Sequence, residues 1–535
     1  MPYKTVRSRA RPTDARTLQE ARDAWTFGDW EAVLGLLTGI EPKARAARVE
    51  AAFLTARAAL HAAQPARALA ALDAVAAVSD GADEELTSTR LRGTALARLG
   101  RIDEAVTHLE TAAADAAQRG LTYRAEAGYD LALAYFSAGR LDDAEAALDA
   151  HVSPSDGATH ARALELFGWI EVRRQRYPIA ARHFIDALDA LQTLRPEGHR
   201  DGMYASLLDG MTSIALDTLD LKLFERVRDD VEAMPWAAPI QARWFAIRRN
   251  RALVELLEGN AIVAWRLADE ALTRSIAGPQ HVAALVMSAR IGRAAGDVFT
   301  PQRLVQKATD IALVLDWDNA TTQERASLLN VIRDAATIDA ASAERLMTVY
   351  RRLVPAPVAA EMFTIEPRAD ALEDFARAAL ARVHGELAET TARLRAAMMI
   401  WRTTGARYDE AIVVLSLGEV AAGEETLRRA DELTSVVPRS WLRRRFAVLA
   451  ERARHVQQLS PAEHRVMMAI CEGRSTAEIA ARFGRSKNTI RNQTRRVYEV
   501  MEVRSRSSLV SKCAGLGIIA AGHSSAVLGG ALLAL

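Results

Sequence analysis

The sequence predicts an all-α protein in which a long superhelical array of paired helices precedes a small basic helical domain. Between about residues 15 and 455 the apolar residues follow helical periodicity, rich in Ala and with few β-branched runs. Short turns, most of them containing Gly, break that pattern at a period of about 36 to 45 residues, which marks an internal repeat. From 459 to 506 three helix starts stand in close succession, and a basic helix follows the last of them.

In chain order, residues 1–14 carry positive charge with no apolar core behind it, and are expected to be a flexible basic arm rather than a signal peptide. Residues 15–455 hold the repeats. Turns fall near Gly28-Asp29, Leu99-Gly100-Arg101, Ala138-Gly139-Arg140, Gln175-Arg176-Tyr177, Gly259-Asn260, Gly296-Asp297, Gly385-Glu386 and Gly423-Glu424, each between two amphipathic segments. Three neighbouring repeats align Gly93 with Ala132 and Gly168, then Ala105 with Ala144 and Ala180, then Leu109 with Leu148 and Phe184. Small residues recur where helices must cross closely. This spacing resembles the tetratricopeptide repeat, best over 85–190. About ten helical pairs are expected, and from 200 to 360 the lengths drift, leaving open a divergent array or an irregular helical domain. Such a stack offers a concave face, here expected to sense a peptide, protein or small-molecule effector. The nine tryptophans are assigned mainly to packing, with one or two available to line a ligand groove. The strip Arg439–Arg445, with Arg452 and Arg454, is either a phosphate contact beside the next domain or a solvated helix face.

Residues 456–519 form the basic domain. Ser460-Pro461-Ala462-Glu463 and Ser475-Thr476-Ala477-Glu478 are both capping boxes, Gly484 suits a left-handed helix end, and Ser486 caps a third helix. On that helix Ile490, Thr494, Val497 and Met501 make one inward stripe, leaving Asn488, Asn492, Arg495 and Arg496 opposite. Arg forks match guanine and Asn amides match adenine in a major groove wide enough for a helix, so this face suits double-stranded DNA. Residues 459–515 hold eleven Lys/Arg against five acids, a net +6, in a chain of 535 residues that sums to only +1. The positive charge is expected where phosphates would lie.

The stretch resembles the C-terminal DNA-binding domain of LuxR-type regulators, through Leu459-Ser460-Pro461, Glu463, Gly473, Glu478-Ile479-Ala480, Ser486, Thr489-Ile490 and Ser505-Arg506. The resemblance places Arg491, Asn492 and Arg495 at the bases and Ser486, Lys487, Thr489, Gln493 and Arg496 at the phosphates. It also implies a fourth helix over Ser505–Gly515, where such domains often dimerise. Gln493 replaces the family's usual His, and Val500-Met501 its usual Lys-Leu. Region 4 of a sigma factor has similar helices, but the Val503-Arg504-Ser505-Arg506 ending and the preceding array argue against it.

The sequence contains no phosphate-binding loop, metal-spaced Cys/His cluster or nucleophile elbow, so no catalytic residue, metal or cofactor is expected and an enzyme is not predicted. Cys471 and Cys513 are too few for a disulfide scaffold, and fit a reducing cytoplasm as helix-core thiols. The apolar tail 520–535, once 516–519 is given to the domain before it, is too short to span a membrane. The combined expectation is a cytoplasmic, homodimeric, sequence-specific transcription regulator, an activator more often than a repressor, with RNA polymerase a candidate partner. The alternative is a repeat scaffold whose terminal domain serves assembly.

Overall fold

Ala-rich amphipathic segments become helices throughout. The computed structural model describes residues 14–26, 29–62, 64–76, 81–119, 123–193, 200–234, 241–275, 277–297, 299–317, 320, 322–353 and 368–519, and no strand occurs among them. They divide into two compact units: residues 14–211 with Gln241, and the remainder from 212 to 519.

The first unit is a run of helical pairs, among them Ala82–Arg98 with Ile102–Gln118, Arg124–Ser137 with Leu141–His151, and Ala158–Arg173 with Tyr177–Thr193. Each pair packs internally, and the first helix of each packs on the first helix of the next, the tetratricopeptide-like arrangement. The repeat columns explain how the helices approach. A Cβ on Gly93 would lie 2.6 Å from Leu109 Cγ and 3.2 Å from the Ala105 carbonyl, and one on Gly168 would enter the Phe184 ring. Gly210 meets the other edge of the same ring. Ala105, Ala144 and Ala180 are fully buried beside them. The turn column is equally regular, with Gly100 and Gly139 at φ +75° and +74° and Gln175 accepting the same left-handed backbone at φ +60°.

The second unit resolves the stretch where repeat lengths drift. Helical pairs continue as Gln241–Glu258 with Ala261–Arg274, Pro279–Ala294 with Phe299–Ala312, and Thr322–Ala335 with Ala340–Arg352. The irregularity is local: Arg200–Thr218 is followed by two short helices, Leu221–Glu225 and Arg228–Ala233, instead of one. Asp220 caps the first of these through the Lys222 and Leu223 amides, and Asn250 clasps Thr212 and Ser213 at 3.2 and 2.9 Å. Ala369–Val383 with Leu387–Thr404 and Arg407–Val420 with Glu424–Ser435 complete the array, and a connecting helix, Trp441–Gln457, leads out of it. Trp169, Trp244, Trp317 and Trp401 are core residues; Trp236 lies outside the described residues. No described helix is long and apolar enough to cross a membrane.

Two predictions test this packing. Gly168→Ala should lower stability by about 1 to 3 kcal/mol, overpacking against Phe184 outweighing the gain in helix propensity. Gly35→Ala, whose Cβ meets nothing within 4 Å, should instead add about 0.5 to 1 kcal/mol; equal shifts in thermal midpoint would refute the packing account. Asp217, packed among these helices beside Asp409, has its carboxyl pushed up to about 8 by burial and that second carboxylate. The folded chain then holds a proton that the unfolded chain releases near pH 4, so stability falls as pH rises from about 4 to 8. Asp217→Asn should make that slope shallower; parallel slopes would show that Asp217 is ionised in the fold.

Candidate nucleic-acid interface

The terminal helices begin where the side chains can satisfy orphan amides. Ser460 Oγ accepts from the Glu463 amide at 3.3 Å while Glu463 accepts from the Ser460 amide at 2.8 Å. Ser475 and Glu478 repeat the reciprocal pair at 3.3 and 2.7 Å. These hydrogen bonds hold both carboxyls below their ordinary range. The resulting helices, Pro461–Cys471 and Thr476–Phe483, are followed by Gly484 at φ +61° and by a third helix, Lys487–Val500, capped by Ser486 through the Thr489 amide at 3.0 Å. A fourth, Arg506–Gly515, begins at the Ser505 cap. Val466, Met467, Ile470, Ile479, Ile490, Val497, Met501 and Leu509 form the shared core, closed by Leu516 and Ile519.

The outer face of the third helix is open. Lys487, Asn488, Thr489, Arg491, Asn492, Arg495 and Arg496 are all exposed and Gln493 is half-buried. Arg495 keeps 80% of its side-chain surface, and it and Arg496 flank Glu499 loosely at 3.6 and 3.7 Å. Arg485, Lys487 and Arg491 meet no carboxylate among the described residues. Ser486 is engaged as a cap, its hydroxyl 2.8 Å from that of Thr489.

Two expectations about charge require correction. Four of the eleven basic side chains are committed within the protein: Arg474 and Arg482 bind Glu472 at 2.8 and 2.7 Å, Lys512 sits 3.4 Å from Glu502 and 3.5 Å from Glu451, and Arg506 turns inward. Arg506 donates to the Ile470 and Arg474 carbonyls at 2.8 and 2.9 Å, tying the fourth helix to the end of the first. The net +6 therefore overstates the charge at the open face. The strip 439–445 is also not uniformly open: Arg443 pairs with Asp431 and the nearly buried Arg445 with Glu419, both at 2.5 Å, while Arg439 and Arg444 are exposed.

Sequence reasoning missed His455. On the last turn of the connecting helix, 1% exposed, its Nδ1 lies 2.7 Å from the Val500 carbonyl at the end of the third helix. Arg454 lies 3.7 Å from Glu502 beside it. Cys471 and Cys513 are both buried; the Cys513 thiol donates to Cys471, raising its own pKa and lowering its neighbour's.

Residues 457–513 match the family model of bacterial regulatory proteins, luxR family. This segment is a LuxR-type helix-turn-helix domain. The match covers about a tenth of the chain, and no curated protein matches it. Among solved structures, the apo form of the quorum sensor NprR from B. thuringiensis shares 13% identity over 79% of this chain and 98% of that chain, with a TM-score of 0.35. A Rap protein complexed with competence and sporulation factor shares 10% identity over 75% of this chain and 99% of its own, with a TM-score of 0.43. Within the LuxR-type domain, Arg506→Ala should cost about 1 to 2 kcal/mol by removing its two hydrogen bonds to the Ile470 and Arg474 carbonyls. Faster hydrogen exchange across helices Pro461–Cys471 and Arg506–Gly515 would register that loss; unchanged protection would refute the clamp.

Proposed function

We propose that the chain is a sequence-specific transcription regulator, working as a homodimer and as an activator, in which residues 15–455 sense an effector and residues 456–519 read DNA. The arm before Asp14 and the tail 520–535 lie outside the described residues. The supporting observation is the third helix, whose polar face presents Arg491, Asn492 and Arg495 to solvent while its apolar face is committed to the domain core. Arg491, Asn492 and Arg495 enter the major groove and hydrogen-bond base edges. Lys487, Thr489, Arg496 and the Ser486 and Gln493 side chains fix the register on phosphates. Two copies on a two-fold site set half-sites about 34 Å apart. Activation proceeds by contact with RNA polymerase once the effector has shifted the domain's presentation.

Arg495→Ala should weaken binding to the preferred site by about 1 to 3 kcal/mol and relax its sequence preference. Lys487→Ala should weaken all sequences alike and reduce the salt slope by about one. Both are measured by retaining fragmented genomic DNA from the source at about 0.15 M salt and sequencing it. A two-fold motif that disappears in the Asn492→Ala/Arg495→Ala double variant is the expected result. Retention that survives the double variant with the same motif would overturn the assignment, and no retention by the wild type in the presence or absence of effector would favour the assembly scaffold.

A further inference from the structure

Within the second unit, the helices from Gln241 to Val420 and the start of the connecting helix enclose a cavity of about 900 Å³, its open mouth included. Partly enclosed clefts with a few convergent polar groups are where small molecules bind. Most of the lining is apolar, with Leu253, Leu394, Ile412, Phe375 and the Trp441 ring on the walls. One end is strongly cationic. Arg290, Arg293 and Arg333 gather around a single carboxylate, Asp334, at 3.5, 3.7 and 2.5 Å, and Asp334 is only 4% exposed.

Three guanidiniums sharing one buried carboxylate leave positive charge uncompensated, which is costly away from water. Asp409 also approaches Arg290 and Arg333, but burial raises its own carboxyl and weakens it as a counter-ion. Burial and the neighbouring Arg333 push Arg290 down to about 10. Hydrogen bonding is incomplete as well: Arg290 Nε, Arg293 Nη2 and Trp441 Nε1 are buried without a hydrogen bond among the described residues, and so is Asp334 Oδ2, 3.5 Å from Arg290 Nε. Buried donors are nearly always paired, and a small shift lets Asp334 Oδ2 take the Arg290 Nε, so Arg293 Nη2 and Trp441 Nε1 are the two that call for an acceptor from elsewhere. A carboxylate fits, since its two oxygens match a guanidinium fork and its charge meets the deficit.

We infer that this cavity binds a small organic acid, its carboxylate among Arg290, Arg293 and Arg333 and its apolar or aromatic body against Phe375 and Trp441, and that this acid is the effector. The inference rests on the regulator reading above. The connecting helix supplies the path to the DNA-reading domain. Its first residue, Trp441, lines the cavity, and His455 on its last turn holds the end of the third helix. An acid that engages Trp441 therefore acts on the helix that sets the position of Arg491, Asn492 and Arg495.

The test is calorimetric titration of the full chain with 1-naphthoate, its neutral analogue 1-naphthamide, and 1-naphthyl phosphate. Naphthoate should bind at least about tenfold more tightly than the amide, a difference of about 1.4 kcal/mol. Arg293→Gln should erase most of that preference. Trp441→Phe, which keeps a ring and removes the N–H, should weaken naphthoate several-fold and serves alone if the arginine variant does not fold. Equal binding of acid and amide, no binding of any probe, or naphthoate binding unchanged in both variants would overturn the site. Tighter binding of the phosphate ester would overturn the carboxylate assignment. Genomic DNA retention, run with and without naphthoate, separates the two proposals. Retained DNA with no acid binding sinks the cavity and spares the regulator; acid binding with no retained DNA in either condition does the reverse.

Discussion

One helix, Trp441–Gln457, is packed into the core of the array and hydrogen-bonded to the terminal domain, and that domain's attachment depends on both. Its amino-terminal half belongs to the array, where Leu442 and Leu449 are buried among Tyr408, Val414 and Leu433. Leu449 packs against Gly418 so closely that any side chain there would displace it. Its last turn belongs to the LuxR-type domain through His455 and the Val500 carbonyl. A helix fixed by packing at one end and by a buried hydrogen bond at the other transmits displacement, because close-packed interiors shift as units instead of deforming smoothly.

Electrostatics are arranged to the same end. Arginines in the array are held by specific carboxylates: Arg429 by Glu410, Arg445 by Glu419, and Arg228 by Glu225, Glu255 and Glu258. Within the terminal domain Glu472, Glu502 and the carbonyls at the end of the first helix absorb four cations, so the remaining positive charge is sorted toward the third helix. A cation that already has a partner contributes little to steering toward a phosphate backbone. The charge that matters for DNA is therefore smaller than the net count, and better placed.

The legible parts of the fold were those whose causes are local in sequence. Capping boxes span four residues, so Ser460/Glu463 and Ser475/Glu478 could be read directly, as could the Gly484 turn and the inward stripe of the third helix. The small-residue columns were legible because the repeat prints the same crossing several times. What escaped depends on partners far apart in the chain. Val500 lies 45 residues beyond His455, and Arg506 reaches back 36 residues to Ile470. Asp334 collects arginines from two helices. Arg443 and Arg445 look like part of a charged surface until Asp431 and Glu419 opposite them are known. The break at Leu221–Arg228 escaped for another reason: both short segments keep helical composition, and only the Asp220 cap and the packing of Phe224 and Val227 separate them.

Coupling through such a helix has a necessary symmetry. A ligand at the cavity shifts the domain only by the difference between its affinities for the two arrangements of the connecting helix. By linkage, DNA that favours one arrangement must change the affinity of the cavity for its ligand by the same factor. The paired features of Trp441 and His455 give that factor a physical location, since one lies at the cavity wall and the other at the third helix, and the rigid turns between them are anchored by Leu449. One end of the cavity is cationic, so an anion there offsets the repulsion among Arg290, Arg293 and Arg333 that Asp334 alone balances in part. On the regulator reading, anion binding then biases the arrangement of the connecting helix without any new contact to DNA.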